Sequence, residues 1–501
     1  MARHRNRFLT GIPAGRADVS DRGGGQVTYP PNAPAASAAQ GTATAPARPG
    51  GVPAQPSPAP AATPPAGRGA WAVGRERLRE AATTEPGRLQ ILGAVLALLV
   101  VAFGAVTALE VTDRASAADD VVSRSQPLSA DAAAIYRSLA DADTTAAAGF
   151  LAGTLEPAES RARYARDITT ASLLLVKAAA NTDGSSVSAR EIATLNEQLP
   201  RYTGLIERAR AANRQGLPLG GAYLRYANAQ MSSSLLPAAE RLYAAETERL
   251  HGDDDSARAW PYLSLALGLL ALGVLVWAQR RNYVRTNRVF NHGLLAATAA
   301  AVTVLLWLLA AHTVTRTDLN SARAHGQESL QVLNTARISS LTARANENLT
   351  LVARGAVLTE DGKNDKYEAD YTASMSALTT ALAEARELAD DDTGRDPVAD
   401  SAARAAEWRE RHKDARAKDE AGDYEGALDR VVGAKGSTGQ SFDQVDAALE
   451  RALAHEQTEF TRSAGNARDA LTALPLGAAA LGILGAAGAV LGINRRLSEY
   501  R

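Results

Sequence analysis

The 501-residue chain has no cysteine, which rules out a disulfide framework, a thiolate nucleophile and any Cys-ligated metal. Aromatic residues make up only 5%, and the net charge is −1. A nucleic-acid binder would show a basic stripe or basic domain, so none is expected as a partner. The seven histidines, at 4, 251, 292, 312, 325, 412 and 455, form no HExxH or other metal spacing. There is no GxSxG elbow, Walker motif or kinase signature set, so no catalytic constellation, metal or cofactor is expected. The acidic run Asp390-Asp391-Asp392 lacks the spacing and final Glu of an EF-hand loop and reads as a solvated connection.

What the chain does contain is segregated. Twelve of its 21 prolines lie in the first 70 residues, whereas long uncharged apolar runs occupy Leu89 to Leu109, Trp260 to Ala278, Gly293 to Ala311 and Leu471 to Ile493. Each run is close to the roughly 20 residues that a bilayer core demands. The expected fold is therefore an all-α membrane protein with four spans (89–110, 260–279, 292–311 and 471–493) joined to two extracytoplasmic helical bundles (111–259 and 312–470). The first span begins too far into the chain for an ordinary cleavable signal peptide, so it should remain as an anchor.

Arginines set the expected orientation, because positive residues near span ends stay in the cytoplasm. Arg75, Arg77, Arg79 and Arg88 lie in or border the 75–88 juxtamembrane segment, Arg280, Arg281, Arg285 and Arg288 fill the 280–291 connection, and Arg495, Arg496 and Arg501 lie in the 494–501 tail. Both termini are then cytoplasmic and both bundles outside. No span interior carries Asp, Glu, Lys, Arg or His, which argues against transport by this chain alone. Residues 1–74 are rich in Pro, Ala and Gly and too poor in aliphatic residues to offset chain entropy, so a disordered cytoplasmic head is expected. The fourth span carries Gly482, Gly485, Gly488 and Gly492; the GxxxG spacing of the last two fits close helix packing, although glycine is also generally tolerated in membrane helices.

Each bundle should hold four helices. Breaks are expected at Leu155-Glu156-Pro157, Asn181 to Gly184 and Gly216 to Gly221 in the first, and at Asp361 to Asn364, Asp390 to Pro397 and Gly422-Asp423 in the second, with Asp396 capping a helix that starts on Pro397. The bundles match each other: Leu139 and Gly153 pair with Leu341 and Gly355 at an offset of 202, and Tyr202, Arg210, Gly216 and Gly220 pair with Trp408, Arg416, Gly422 and Gly426 at 206. An internal duplication of span, bundle, span follows. Seams such as Ile135, Leu139, Ala142, Ala146 and Phe150 recur at steps of three or four and continue the spans outward.

Asp143 and Asn348 fall on otherwise apolar faces. Each is a candidate contact for a small ligand between helices, or else a polar seam residue that fixes helix register. Arg344, Trp408 and Arg411 are candidates to recognise an anionic partner outside, and Arg285 and Arg288 to contact one inside.

The tandem plan, the Ala/Arg-rich bundles and the junction Arg285-Thr286-Asn287-Arg288-Val289-Phe290-Asn291-His292-Gly293 resemble the GlnX-like actinobacterial four-span membrane sensors over roughly residues 75–501. That resemblance implies a relay of amino-acid status, from an extracytoplasmic amino-acid-binding lipoprotein to a cytoplasmic serine/threonine kinase. The Pro/Ala-rich head departs from the family pattern. Two other functions fit the same sequence: a chemoreceptor-like sensor that binds its ligand directly, and a non-signalling membrane scaffold. Monomer and homodimer both remain open.

Overall fold

The computed structural model describes residues 83–497 except Thr154, Asp183, Ser185, 287–290 and Ala434. The proposed disordered head and most of the basic juxtamembrane segment lie outside the described residues, as does Arg288. The described chain is helical throughout, with no β-strand beyond one isolated bridge between Leu358 and Asp365.

In the first repeat, α1 (Glu85–Asp120) passes through a π-helical turn, Val121–Ser125, into α2 (Gln126–Leu151). Next come α3 (Ala158–Ala180), α4 (Val187–Arg214) and α5 (Leu219–Gln230), then a second π turn (Met231–Leu235), α6 (Leu236–Arg258) and α7 (Tyr262–Thr286). The second repeat runs α8 (His292–Ser321), a third π turn (Ala322–Gln327), α9 (Glu328–Ala353), α10 (Lys366–Leu388), α11 (Asp392–Glu420), α12 (Tyr424–Val432), α13 (Thr438–Thr472) and α14 (Leu474–Leu497). Four of these stretches are long and apolar enough to cross a membrane.

Two local expectations fail. Asp396-Pro397 does not start a helix: Asp391 caps α11 by accepting the Gly394 N–H at 2.7 Å, and Pro397 lies inside the helix. The earlier carboxylate wins because it reaches a free N–H of the first turn. The second bundle also has an extra break at Gly433–Ser437, where Gly436 takes a positive φ of 67° and Ser437 caps α13 through the Gln440 N–H.

The duplication has a geometric signature. Gly153 and Gly355 both sit at positive φ (80° and 71°), as do Gly216 and Gly422 (67° and 82°), so the matched glycines end matched helices. The π turns obey the same relation. Those at the base of each bundle end at Ser125 and Gln327, 202 residues apart, whereas the Met231–Leu235 turn corresponds, at an offset of 206, to residues 437–441, the cap and first turn of α13 just after the extra break.

Among the spans, α14 packs on α1 and α8, and α7 packs on the same two helices. Small residues set the approach of α14: a Cβ on Gly104 would lie 2.9 Å from the Ala478 carbonyl oxygen and 2.9 Å from Gly482 Cα, both backbone atoms that cannot yield. Farther along, Asn291 caps α8 and donates to the Gly492 carbonyl at 2.9 Å. Gly104→Leu should therefore cost about 1–3 kcal/mol, read as a lower melting temperature in detergent; an unchanged melting temperature would contradict this packing.

The first bundle returns to its span through a break at Ala259–Pro261 rather than a continuous helix. Arg114 of α1 repairs it, donating to the carbonyls of Ala259 (2.7 Å) and Trp260 (2.9 Å), while Glu110 accepts the Ser264 N–H at 2.8 Å. One ion pair thus satisfies both loose helix ends.

Candidate functional site

The two bundles meet along α2 and α9. Across this seam Thr144 Oγ1 donates to the Leu341 carbonyl at 2.9 Å, and Asn348 Nδ2 reaches the Thr144 carbonyl at 3.4 Å. Asn348 is fully buried with its Oδ1 unpartnered. The structure thus places Asn348 as a polar seam residue between repeats, one turn from the Arg344 cluster.

Asp143, also buried, accepts from Tyr202 Oη (3.1 Å) and Asn228 Nδ2 (2.7 Å), with no cation paired to it. Burial, only partly offset by the Asn228 and Tyr202 hydrogen bonds, pushes its pKa up to about 6. Asp143 and Asn228 form part of the wall of a cavity of about 270 Å³ between the bundles, which Asn346, Lys366 and Asp370 help to close. Asp143 and Asn348 both lie near the seam, but of the two, Asp143 borders this space.

Because the folded pKa of Asp143 is raised, its neutral form fits the site best: the stability it lends is present below the unfolded value near 4 and is lost as pH rises through about 6. Asp143→Asn should therefore stabilise the protein by about 2–3 kcal/mol near pH 8, with little change near pH 4. Melting curves at the two pH values check this, and equal shifts at both would contradict it.

The second bundle carries a related arrangement two residues further along α9, since Asp143 corresponds to position 345 and the acceptor is Glu347. Trp408, the counterpart of Tyr202, donates Nε1 to Glu347 at 3.1 Å, as Tyr202 does to Asp143. Glu347 also accepts from Arg344 Nη1 (2.5 Å) and pairs with His412 Nδ1 (2.9 Å); His412 Nε2 faces Glu368 at 3.1 Å, and Arg416 joins Glu368 at 3.2 Å. Tyr371 stacks on the His412 ring with centroids 3.7 Å apart. Burial alone would raise Glu347, but the Arg344 charge and the His412 bond outweigh it and hold the carboxyl below its usual range. Burial likewise opposes the charge on His412, yet the bonds to Glu347 and Glu368 lift its pKa to about 9.

Arg344 and Trp408, expected to meet a partner, are instead interior: Arg344 is 4% exposed and Trp408 fully buried, and Arg344 donates to Thr438 Oγ1 and to the Val431 carbonyl. Both face the Glu347 carboxylate of their own chain. Arg411, half-buried, holds the Ser437 carbonyl at 2.9 Å and an oxygen of Glu407. Arg285 lies in α7 beyond the described side chains. Sequence reasoning missed Glu347, His412 and Glu368; Glu347 lies between the buried positions Ala345 and Leu349, and His412 lies four residues from Trp408 on the same helix, which were the available signals. Asp391, His455 and Glu459 come together near the start of α11, where Asp391 is already engaged as helix cap and His455 faces it at 3.3 Å.

The fold and this polar interior define, over the described residues, an all-helical protein with four helices long and apolar enough to cross a membrane and two bundles side by side. Residues 117–255, the first bundle, match the model of the actinobacterial sensor domain family. No curated protein and no solved structure matches the chain. The match assigns the first bundle a sensing role, and the duplication extends its plan to the second.

Proposed function

We propose that the protein is a multi-pass cell-membrane relay with both termini in the cytoplasm, without catalytic activity of its own. It couples extracytoplasmic amino-acid status, read through a solute-binding lipoprotein, to a cytoplasmic serine/threonine kinase. The observation that carries this reading is the pair of helices α1–α2 and α8–α9. Each runs from a membrane-crossing segment into its bundle and is interrupted only by a π turn at the same place in each repeat. A docked binding protein shifts the packing of α2 against α9, and the rigid helices carry the shift to the 280–291 connection and the basic head. The π turns are the points at which such a shift is absorbed or passed on, since isolated π turns mark functional positions in helices.

The polar seam favours sensing over scaffolding. A buried carboxylate held by two hydrogen bonds and no ion pair among the described residues, as Asp143 is, belongs to the kind of perturbed group that clusters at functional sites. Cross-linking in intact cells, affinity purification of the chain and mass spectrometry, with and without external glutamate and aspartate, tests the relay. Recovery of both a solute-binding lipoprotein and a serine/threonine kinase, in amounts that change with the amino acid, is the expected result. Recovery of neither at good bait yield refutes the relay.

A further inference from the structure

A second cavity lies between the bundles at their membrane-proximal end. Here α2, α6, α9 and α13 surround a cleft of about 270 Å³, roughly the liquid volume of nine waters or the size of a molecule of about ten non-hydrogen atoms. Its floor is apolar, with Ala133, Leu330, Leu453 and Phe460, and its walls carry Tyr243, Asn334 and three glutamines. The charged groups are unusual. Arg337 is neutralised by Asp446, which takes its Nε at 2.7 Å and Nη2 at 3.1 Å. Arg137, on the facing helix, donates only to Asn334 Oδ1 and, among the described residues, has no carboxylate within 4 Å.

A guanidinium has five N–H donors, so Arg137 keeps most of its capacity for another acceptor. Burial and the neighbouring Arg337, only partly offset by Tyr243, Asp446 and Glu450, lower its pKa to about 10, which leaves it charged at neutral pH. Glu450 on α13 lines the same cleft and, among the described residues, has no cation within 4 Å. These two opposite charges sense each other across the cleft without closing into an ion pair among the described residues, and they are complementary to a molecule that carries both.

We infer that this cleft binds a small zwitterion of the α-amino-acid class, its carboxylate on Arg137 and its ammonium on Glu450. The apolar floor takes the side chain, and the limited volume excludes peptides. The cleft also reaches both basal π turns. Gln126 follows the first directly and Gln327 closes the second. These turns are tied in turn to one stretch of α6, through Ser125 to Asp253 and Gln327 to His251. A ligand that bridges α2 and α13 therefore pulls together the elements on which both turns rest. All the first-repeat residues of the cleft fall inside the segment that matches the sensor domain. This inference does not rest on the binding lipoprotein of the relay, and its test contains no second protein.

Full-length protein in lipid nanodiscs, titrated with each natural amino acid and with succinate and putrescine as controls bearing one sign of charge, decides the matter by calorimetry and melting temperature. At least one amino acid should bind and raise the melting temperature. Arg137→Gln should weaken that binding by about tenfold or more, because it removes a charge-assisted carboxylate contact, and Glu450→Gln should weaken it too. Ala454→Trp, at an exposed position on the rim, should abolish binding by filling the cleft without removing a polar group; it carries the test if the Arg137 variant does not fold. Absence of binding by every amino acid at millimolar concentration overturns the inference. So does affinity that survives both Arg137→Gln and Ala454→Trp, or succinate or putrescine binding as tightly as the best amino acid.

Discussion

Glu347→Ala lowers the melting temperature of the full-length protein by about 10 °C, the equivalent of a loss of about 3–5 kcal/mol. Glu347 is the common acceptor of Arg344, Trp408 and His412, and all three partners are buried. Alanine strands an interior guanidinium and an interior imidazole at once, and breaking a buried pair costs far more than the pair is worth in isolation. His412→Ala should cost less, since it leaves Glu347 with Arg344 and Trp408. The pH dependence has a definite sign. The folded pKa of His412 is raised to about 9, so its stabilisation is full below about 6.5 and lost as pH rises through about 9. Glu347, with its pKa depressed, stabilises above its unfolded value and loses this as pH falls through its folded one. Wild-type melting should thus fall on the alkaline side through His412, and a His412→Leu variant should lack that limb. Equal alkaline limbs in the two proteins would show that the network does not couple to stability.

Deletion of Ser123 from the first basal π turn leaves the protein folded, whereas deletion of Ala117, in the α-helical part of α1 just before it, does not. A π turn holds one residue more than the α-helix around it, so removal of one restores an ordinary helix with both flanks still facing their partners. In α-helix, the same deletion turns one flank by about 100° and shifts it by about 1.5 Å relative to the other. Because the chain has no cysteine, the register can be read with an engineered pair. A Cβ on Gly93 would lie 3.4 Å from Ile493 Cβ, a separation close to that of a disulfide, so Gly93→Cys with Ile493→Cys should cross-link α1 to α14. The Ser123 deletion should keep both the cross-link and a single cooperative melt; the Ala117 deletion should lose at least one. Equal damage from the two deletions would show that the π turn is not a stored insertion. If the Ser123 variant folds but no longer responds to amino acids in the cell, the turn is the element through which the signal passes.

Much of this was legible in the chain itself. Four long uncharged runs allow one solution in a bilayer, because only a helix satisfies its own backbone there. The paired glycines at 153 and 355, and at 216 and 422, mark equivalent helix ends because each takes a positive φ that other residues resist. The small residues of α14 announced close approach, and the Asp143 carboxyl stood out on an apolar face. These signals are local: hydropathy, spacing and backbone freedom are carried by neighbours in sequence.

The site was not legible in the same way. Glu347 lies 61 residues from Trp408 and 65 from His412, and each on its own reads as an ordinary helical residue. Arg344 and Arg411 looked like surface arginines because nothing in a helical pattern tells which face a neighbouring helix will cover. The π turns leave no mark in composition, since a single extra residue in a helix is absorbed only where packing on both sides holds the flanks fixed, as Phe460 does against Gly326. Sequence alone determined the number of spans, the duplicated bundles and most of their breaks, because those follow from burial and chain stiffness within each segment. Only the tertiary structure decided that α2 and α9 lie side by side, which carboxylate each aromatic would serve, and that Arg137 and Glu450 would share one cleft. Those outcomes depend on which distant helices meet, and periodicity fixes a helix's apolar face but not the partner that covers it.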